Sequence, residues 1–87
     1  MKYKIILKYT GIVFEPIYRA NIKAGLKFMY NKINENIHLI EDKSNIRIII
    51  QEPEVVIAKC YSKGVRTKYN TIKEMNFDEL ITEIDWI

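Results

Sequence analysis

His38 and Cys60 are the only histidine and the only cysteine of this chain. Brought together they would make the base and nucleophile of a thiol enzyme. That chemistry needs both within hydrogen-bond reach and a third group to orient the base, and no spacing signature links them. Each has a plainer reading. His38 stands among apolar neighbours in "IHLIE", as a structural or surface histidine. Cys60 closes "VVIAKC", where a thiol behaves as a small apolar side chain. A structural zinc site needs about four Cys, His or carboxylate ligands, so this pair is too few. Gly11, Gly25 and Gly64 are isolated and form no phosphate-cradling loop. Glu79 and Glu83 are four apart on an expected helix and would stand side by side. Hard cations demand several converging oxygens, and a charged stripe opposite an apolar one is the ordinary look of a surface helix. Glu52 and Glu54 flank Pro53 at an expected turn. The expectation is no catalytic residue, no metal, no cofactor and no enzymatic activity.

Charge is the feature that stands above background. Residues 1–73 hold all fourteen Lys and Arg against six acids, a net +8; residues 74–87 hold five acids and no base, a net −5. Within 59–73 five cations (Lys59, Lys63, Arg66, Lys68 and Lys73) run without an acid, and Tyr61 and Tyr69 interleave. Cations beside rings suit single-stranded nucleic acid, whose bases stack on aromatics, and they suit an acidic protein surface equally. Lysines also decorate exposed strands simply to prevent aggregation. The overall +3 is ordinary for solubility.

The elements that must carry these residues are read from periodicity. "KYKIILKY" (2–9) alternates: Tyr3, Ile5, Leu7 and Tyr9 on one face, Lys2, Lys4 and Lys8 on the other, which predicts a half-buried strand. Thr10-Gly11 reads as a turn and Ile12–Phe14 as a short returning strand that Pro16 stops. Asn21 caps a helix over 21–35 whose stripe is Ile22, Leu26, Met29, Tyr30, Ile33 and Ile37. Gly25 inside it marks close packing on a sheet. Asn34 or Asn36 ends it, asparagine tolerating the left-handed conformation. Strands follow at 37–41, 46–50, 55–61 and, shorter, 65–69, with turn chemistry between. Asn76 and Glu79 form a capping box for a last helix with the stripe Phe77, Leu80, Ile81 and Ile84. Trp86 and Ile87 cover the core edge.

The expected fold is a single α+β domain over 1–87. An antiparallel sheet of about four to five strands carries two helices on one face, in the order β(β)αβββ(β)α. The helix–three strands–helix order within 21–85 resembles a double-stranded-RNA-binding domain in outline. That family carries a basic cluster at the start of its last helix, where this chain has the acidic "NFDELITE", so no residue role is carried over.

Eighty-seven residues bury roughly 60–65% of their unfolded surface, enough for one modest core and no deep pocket. No apolar run approaches the ~20 residues of a membrane helix, no secretory signal is read at the start, and one cysteine points to a reducing compartment. The expected location is cytoplasmic, the host cytoplasm for a viral product. Abundant Ile, Lys, Asn and Tyr are the residues of AT-rich codons, which fits a bacterial, archaeal or viral origin. Size, absences and composition together predict a small non-enzymatic binding protein. The type expected is a phage or virus inhibitor that occupies a surface of a larger host protein or nucleoprotein complex. The alternative is a nucleic-acid-binding protein using 59–73. The expected contacts are Lys59, Tyr61, Lys63, Arg66, Lys68, Tyr69 and Lys73, with a homodimer through sheet edges as a further expectation.

Overall fold

The computed structural model describes residues 2–54 and 68–85. Strand β1 (Tyr3–Tyr9) lies at the centre and buries the predicted side: Ile5 and Leu7 are inaccessible, with Tyr3 and Tyr9 packed at either end. Thr10 and Gly11 turn the chain back with φ of +43° and +81°. Two residues in the left-handed region are what a tight hairpin needs, since this twist matches that of the flanking strands. The return runs in two pieces on the same edge of β1: β2 (Ile12–Val13), then β3 (Ile17–Arg19), interrupted around Glu15-Pro16. Pro16 breaks the ladder as expected, but the chain resumes pairing beyond it, which was not foreseen.

Helix α1 (Ile22–Glu35) starts at Asn21, whose side chain accepts from the Lys23 and Ala24 amides. It buries Gly25, Leu26, Met29 and Ile33. A Cβ at Gly25 would collide with the Cδ1 of buried Ile5, so the glycine sets how closely α1 lies on β1. The helix ends at Asn36 without a left-handed residue (φ −109°); there the Asn36 side-chain amide donates to the Lys32 carbonyl at 2.8 Å and satisfies it directly. Ile37 falls outside the helix and is exposed, which corrects its place in the stripe.

"IHLIE" is not a strand. A single 3-10 turn occupies Ile37–Leu39, and the Tyr9 hydroxyl holds the following loop by accepting from the Glu41 amide at 2.9 Å. The run lacks the alternation that a half-buried strand needs; the Leu39 and Ile40 amides donate to the Asn36 and Ile37 carbonyls within the turn, and Tyr9 takes the Glu41 amide. A second 3-10 turn over Lys43–Asn45, capped by Asp42, leads into β4 (Ile46–Pro53). Strand β5 (Tyr69–Asn76) follows, then α2 (Phe77–Ile84). The expected strand over 55–61 lies outside the described residues, as does all of the expected strand 65–69 except Lys68 and Tyr69. What sequence reading missed is β5 itself: of its eight residues only Met75 is buried, so it carries no alternation to detect. Among the described residues β4 and β5 stand between the helices, and the segment expected to hold a further strand lies outside them.

The sheet is antiparallel throughout, in the order β2/β3–β1–β4–β5. Among the described residues each helix follows an antiparallel strand pair, β1 with β2/β3 before α1 and β4 with β5 before α2, and the two pairs join through β1 and β4. β1 and β4 pair over six residues, setting Ile5 against Ile50, Leu7 against Ile48 and Tyr9 against Ile46. Both helices cover this side, Phe77 and Leu80 of α2 completing the core. The α2 capping box forms as read: Asn76 Oδ1 accepts from the Glu79 amide at 2.9 Å, and the Glu79 carboxylate accepts from the Asn76 amide. The chain is thus an α+β domain with two helices on one face of an antiparallel sheet.

Two substitutions test this packing in opposite directions. Gly25→Ala gains about 1 kcal/mol of helix propensity but overpacks Ile5, which costs roughly 1–3 kcal/mol. A lower urea midpoint at unchanged slope is expected. Thr10→Asn should raise the midpoint by about 1 kcal/mol, because asparagine tolerates the left-handed turn position that strains a β-branched residue.

Candidate binding face

Because side chains alternate along a strand, burying Ile5, Leu7, Ile46, Ile48 and Ile50 sends their neighbours to the side away from the helices. Lys4, Ile6 and Lys8 of β1 stand there against Gln51, Ile49 and Arg47 of β4. Tyr18 of β3 is the partner of Lys4, and Tyr69 of β5 is the partner of Pro53. Across this face Tyr18 and Tyr69 lean together from opposite edges of the sheet, ring centroids 5.9 Å apart. The Lys4 ammonium lies 5.5 Å from the Tyr69 centroid, within cation–π range. Gln51 donates to the Thr71 hydroxyl at 3.1 Å beside them. Tyr18 remains 41% exposed, so the pair is a surface feature and not a satellite core. Lys8 and Arg47 extend the cationic row; one Arg47 nitrogen is committed to the Ser44 and Ile46 carbonyls. Glu74, opposite Ile49, is the acid that the register sets on this side of β5.

The predicted contact residues are divided by this arrangement. Tyr69 belongs to the cluster. Lys68 adjoins it but faces Glu54 at 3.8 Å, at the neck where the Glu54 amide donates to the Lys68 carbonyl at 2.7 Å. Lys73 pairs in register with Ile50, so it points to the helix side, where its ammonium meets the Glu83 carboxylate of α2 at 2.6 Å. Tyr69 and Lys73, four residues apart, therefore serve opposite faces. Lys59, Tyr61, Lys63 and Arg66 lie outside the described residues. Sequence reading placed Lys4 and Lys8 on a polar strand face without counting them as contacts. It missed Tyr18 and Arg47 because nothing local says which strands become neighbours.

Among the described residues the candidate reactive groups are His38, Glu79 and Glu83. His38 is exposed on its 3-10 turn, not on a strand. Glu79 is engaged by its own capping box and Glu83 by Lys73, so they do not converge on an ion. Among the described residues no cluster of three or more His, Cys, Asp or Glu could hold a metal. Cys60 lies outside them. A shallow cavity of about 290 Å³ opens between the 3-10 turn before β4 and the start of α2, lined by Lys43, Arg47 and Asp78 among others; Lys43 sits 5.3 Å from the Phe77 ring there. No helix is long and apolar enough to cross a membrane among the described residues.

The Lys73 hydrogen bond, and secondarily its charge, holds the Glu83 carboxyl below its ordinary value of 4.5. A lowered folded-state pKa stabilises the fold above the unfolded value, and the contribution disappears as pH falls through the folded one. Lys73→Met should therefore return Glu83 toward 4.5 in an NMR titration. The stability difference between the two proteins should be present at neutral pH and vanish once acid has protonated Glu83 in both. Comparison of the chain with protein-family models, with curated proteins and with solved structures returns no match.

Proposed function

We propose that this chain is a non-enzymatic binding protein, of the kind phages and viruses make as inhibitors, and that it acts by covering a negatively charged surface of a larger protein or nucleoprotein partner. The observation that carries the reading is the one-sided use of the sheet. Among the described residues both helices occupy one face, and the other presents Tyr18 and Tyr69 with Lys4, Lys8 and Arg47. Tyrosine and arginine are favoured anchors because they bring large, rigid contact area with polar tips.

Electrostatics support the same face. Of the acids of α2, Glu79 is engaged in its capping box and Glu83 by Lys73 on the helix side. Asp78 shares a cavity with Arg47 and Glu74 stands on the face itself, so the surplus charge of the face rests on Lys4 and Lys8. The self-association expected through sheet edges is a separate proposal; stacking two such cationic faces would be opposed by like charge.

The test is capture of the partner from the native host, with nuclease treatment as control, using three folded variants. Lys4→Glu/Lys8→Glu should lose the captured species at an unchanged thermal midpoint. Lys27→Glu, on the exposed side of α1, should retain it. Reversing Lys63, Arg66 and Lys68 measures what the 59–73 segment adds. Retention by the Lys4/Lys8 variant would refute the proposed face.

A further inference from the structure

We infer that the occupant of the helix-free sheet face is a single strand of nucleic acid, held by base stacking on Tyr18 and Tyr69 and by phosphate contacts to Lys4, Lys8 and Arg47. This rests on the binding face proposed above and names its ligand. Three features favour an unpaired strand over an acidic protein or a duplex.

The first is the ring pair. Tyr18 and Tyr69 come from the two edges of the sheet and meet over it, their centroids 5.9 Å apart and planes tilted at 56°. Aromatic side chains laid on a sheet face are a recurring platform for unpaired bases, because every base has a π-face to stack. Rings also anchor protein interfaces, so it is the ring pair together with its flanking cations that points to a strand.

The second is the disposition of charge around them. Lys4 lies beside the Tyr69 ring at 5.5 Å. Lys8 and Arg47 are cross-strand partners farther along β1 and β4. Cations therefore sit beside and beyond the rings along the strand direction, as a backbone running across the face would require. Between them the paired Ile6 and Ile49 are half-buried and uncharged, a surface suited to the flat, weakly polar faces of bases.

The third is size and shape. Four strand positions at about 4.8 Å spacing make a face roughly 14 Å across, wide enough for one strand and narrower than a duplex. Reading a duplex calls for an element that enters a groove, and both helices are on the far side of the sheet. The body of the acidic α2, which would repel a duplex wrapped around the domain, packs on that far side too, with Glu83 held there by Lys73.

The experiment is a fluorescence-anisotropy titration of the intact chain with labelled oligothymidylate and oligouridylate, against labelled polyglutamate as the acidic-polymer control. Binding to the oligonucleotides is expected, weakening with salt. The log–log slope should be about −2 if the three cations each meet a phosphate at roughly −0.7 per contact. Tyr18→Ala and Tyr69→Ala should each weaken it on the order of tenfold. Tyr69→Phe, which keeps the ring, should bind as the parent does. Lys4→Glu should weaken binding and flatten the slope, and Lys27→Glu should do neither. Equal affinity of the tyrosine-to-alanine variants, or an equal loss with Lys27→Glu, overturns the inference. Binding of polyglutamate alone, abolished by Lys4→Glu, overturns it too but leaves the binding face standing. Binding of neither polymer at low salt overturns the nucleic-acid inference, and loss of the face reading then shows separately, as retained partner capture by Lys4→Glu/Lys8→Glu.

Discussion

The antiparallel pairing of β1 with β4 is the constraint from which the rest of the molecule follows. Six residues of each strand oppose one another, and the register sets Ile5, Leu7 and Tyr9 against Ile50, Ile48 and Ile46 on one side. The side-chain period of a strand is two, so a slip of one residue would turn the shifted strand over completely. A slip of β4 would carry Ile46, Ile48 and Ile50 into water and bring Arg47 under the helices; a slip of β1 would do the same with Ile5 and Leu7 against Lys4 and Lys8. Burying one such aliphatic is worth about 1.5–3 kcal/mol, and burying an unpaired ammonium costs several more. The register is therefore fixed by a margin comparable to the whole stability of an ordinary small domain. Once it is fixed, so is the composition of the helix-free face.

Both helices then have a single place to go. α1 lies close on β1 because Gly25 has no side chain to hold it away from Ile5. α2 begins where β5 ends, its first turn stitched by the Asn76–Glu79 capping box. The chain's abrupt change of charge, basic before residue 74 and acidic after, has a structural consequence here. It lets β5 and α2 neutralise each other locally through Lys73 and Glu83. An exposed ion pair of this kind adds little stability; on the other face Lys4, Lys8 and Arg47 outnumber Glu74 among the described residues.

Some of this was legible in the amino-acid order and some was not, for reasons that can be named. β1, α1 and α2 were readable because each carries a strong period and a cap: alternation in "KYKIILKY", the Asn21 cap, the Asn76–Glu79 box. β5 was not, because it exposes nearly all its side chains and so shows no pattern. "IHLIE" misled because apolarity without alternation does not distinguish a strand from a turn pinned by a distant tyrosine. The binding face was half legible. Lys4 and Lys8 were on a visible polar stripe and Tyr69 was among the expected contacts, but Tyr18 and Arg47 join them only through pairings between segments far apart in the chain. Lys73 was grouped with Tyr69 by sequence proximity; regular alternation would keep residues four apart on one face, and the bulge in β5 opposite Ile50 and Gln51 separates them.

Amide and side-chain NMR of the uniformly labelled chain, with and without a short oligothymidylate, tests the central claim most directly, since it reports every residue of both faces at once. Shifts should concentrate on Lys4, Ile6, Lys8, Tyr18, Ile49 and Tyr69, with α1 and α2 silent. Shifts gathered on the exposed sides of the helices, with the Tyr18–Tyr69 pair unmoved, would contradict it.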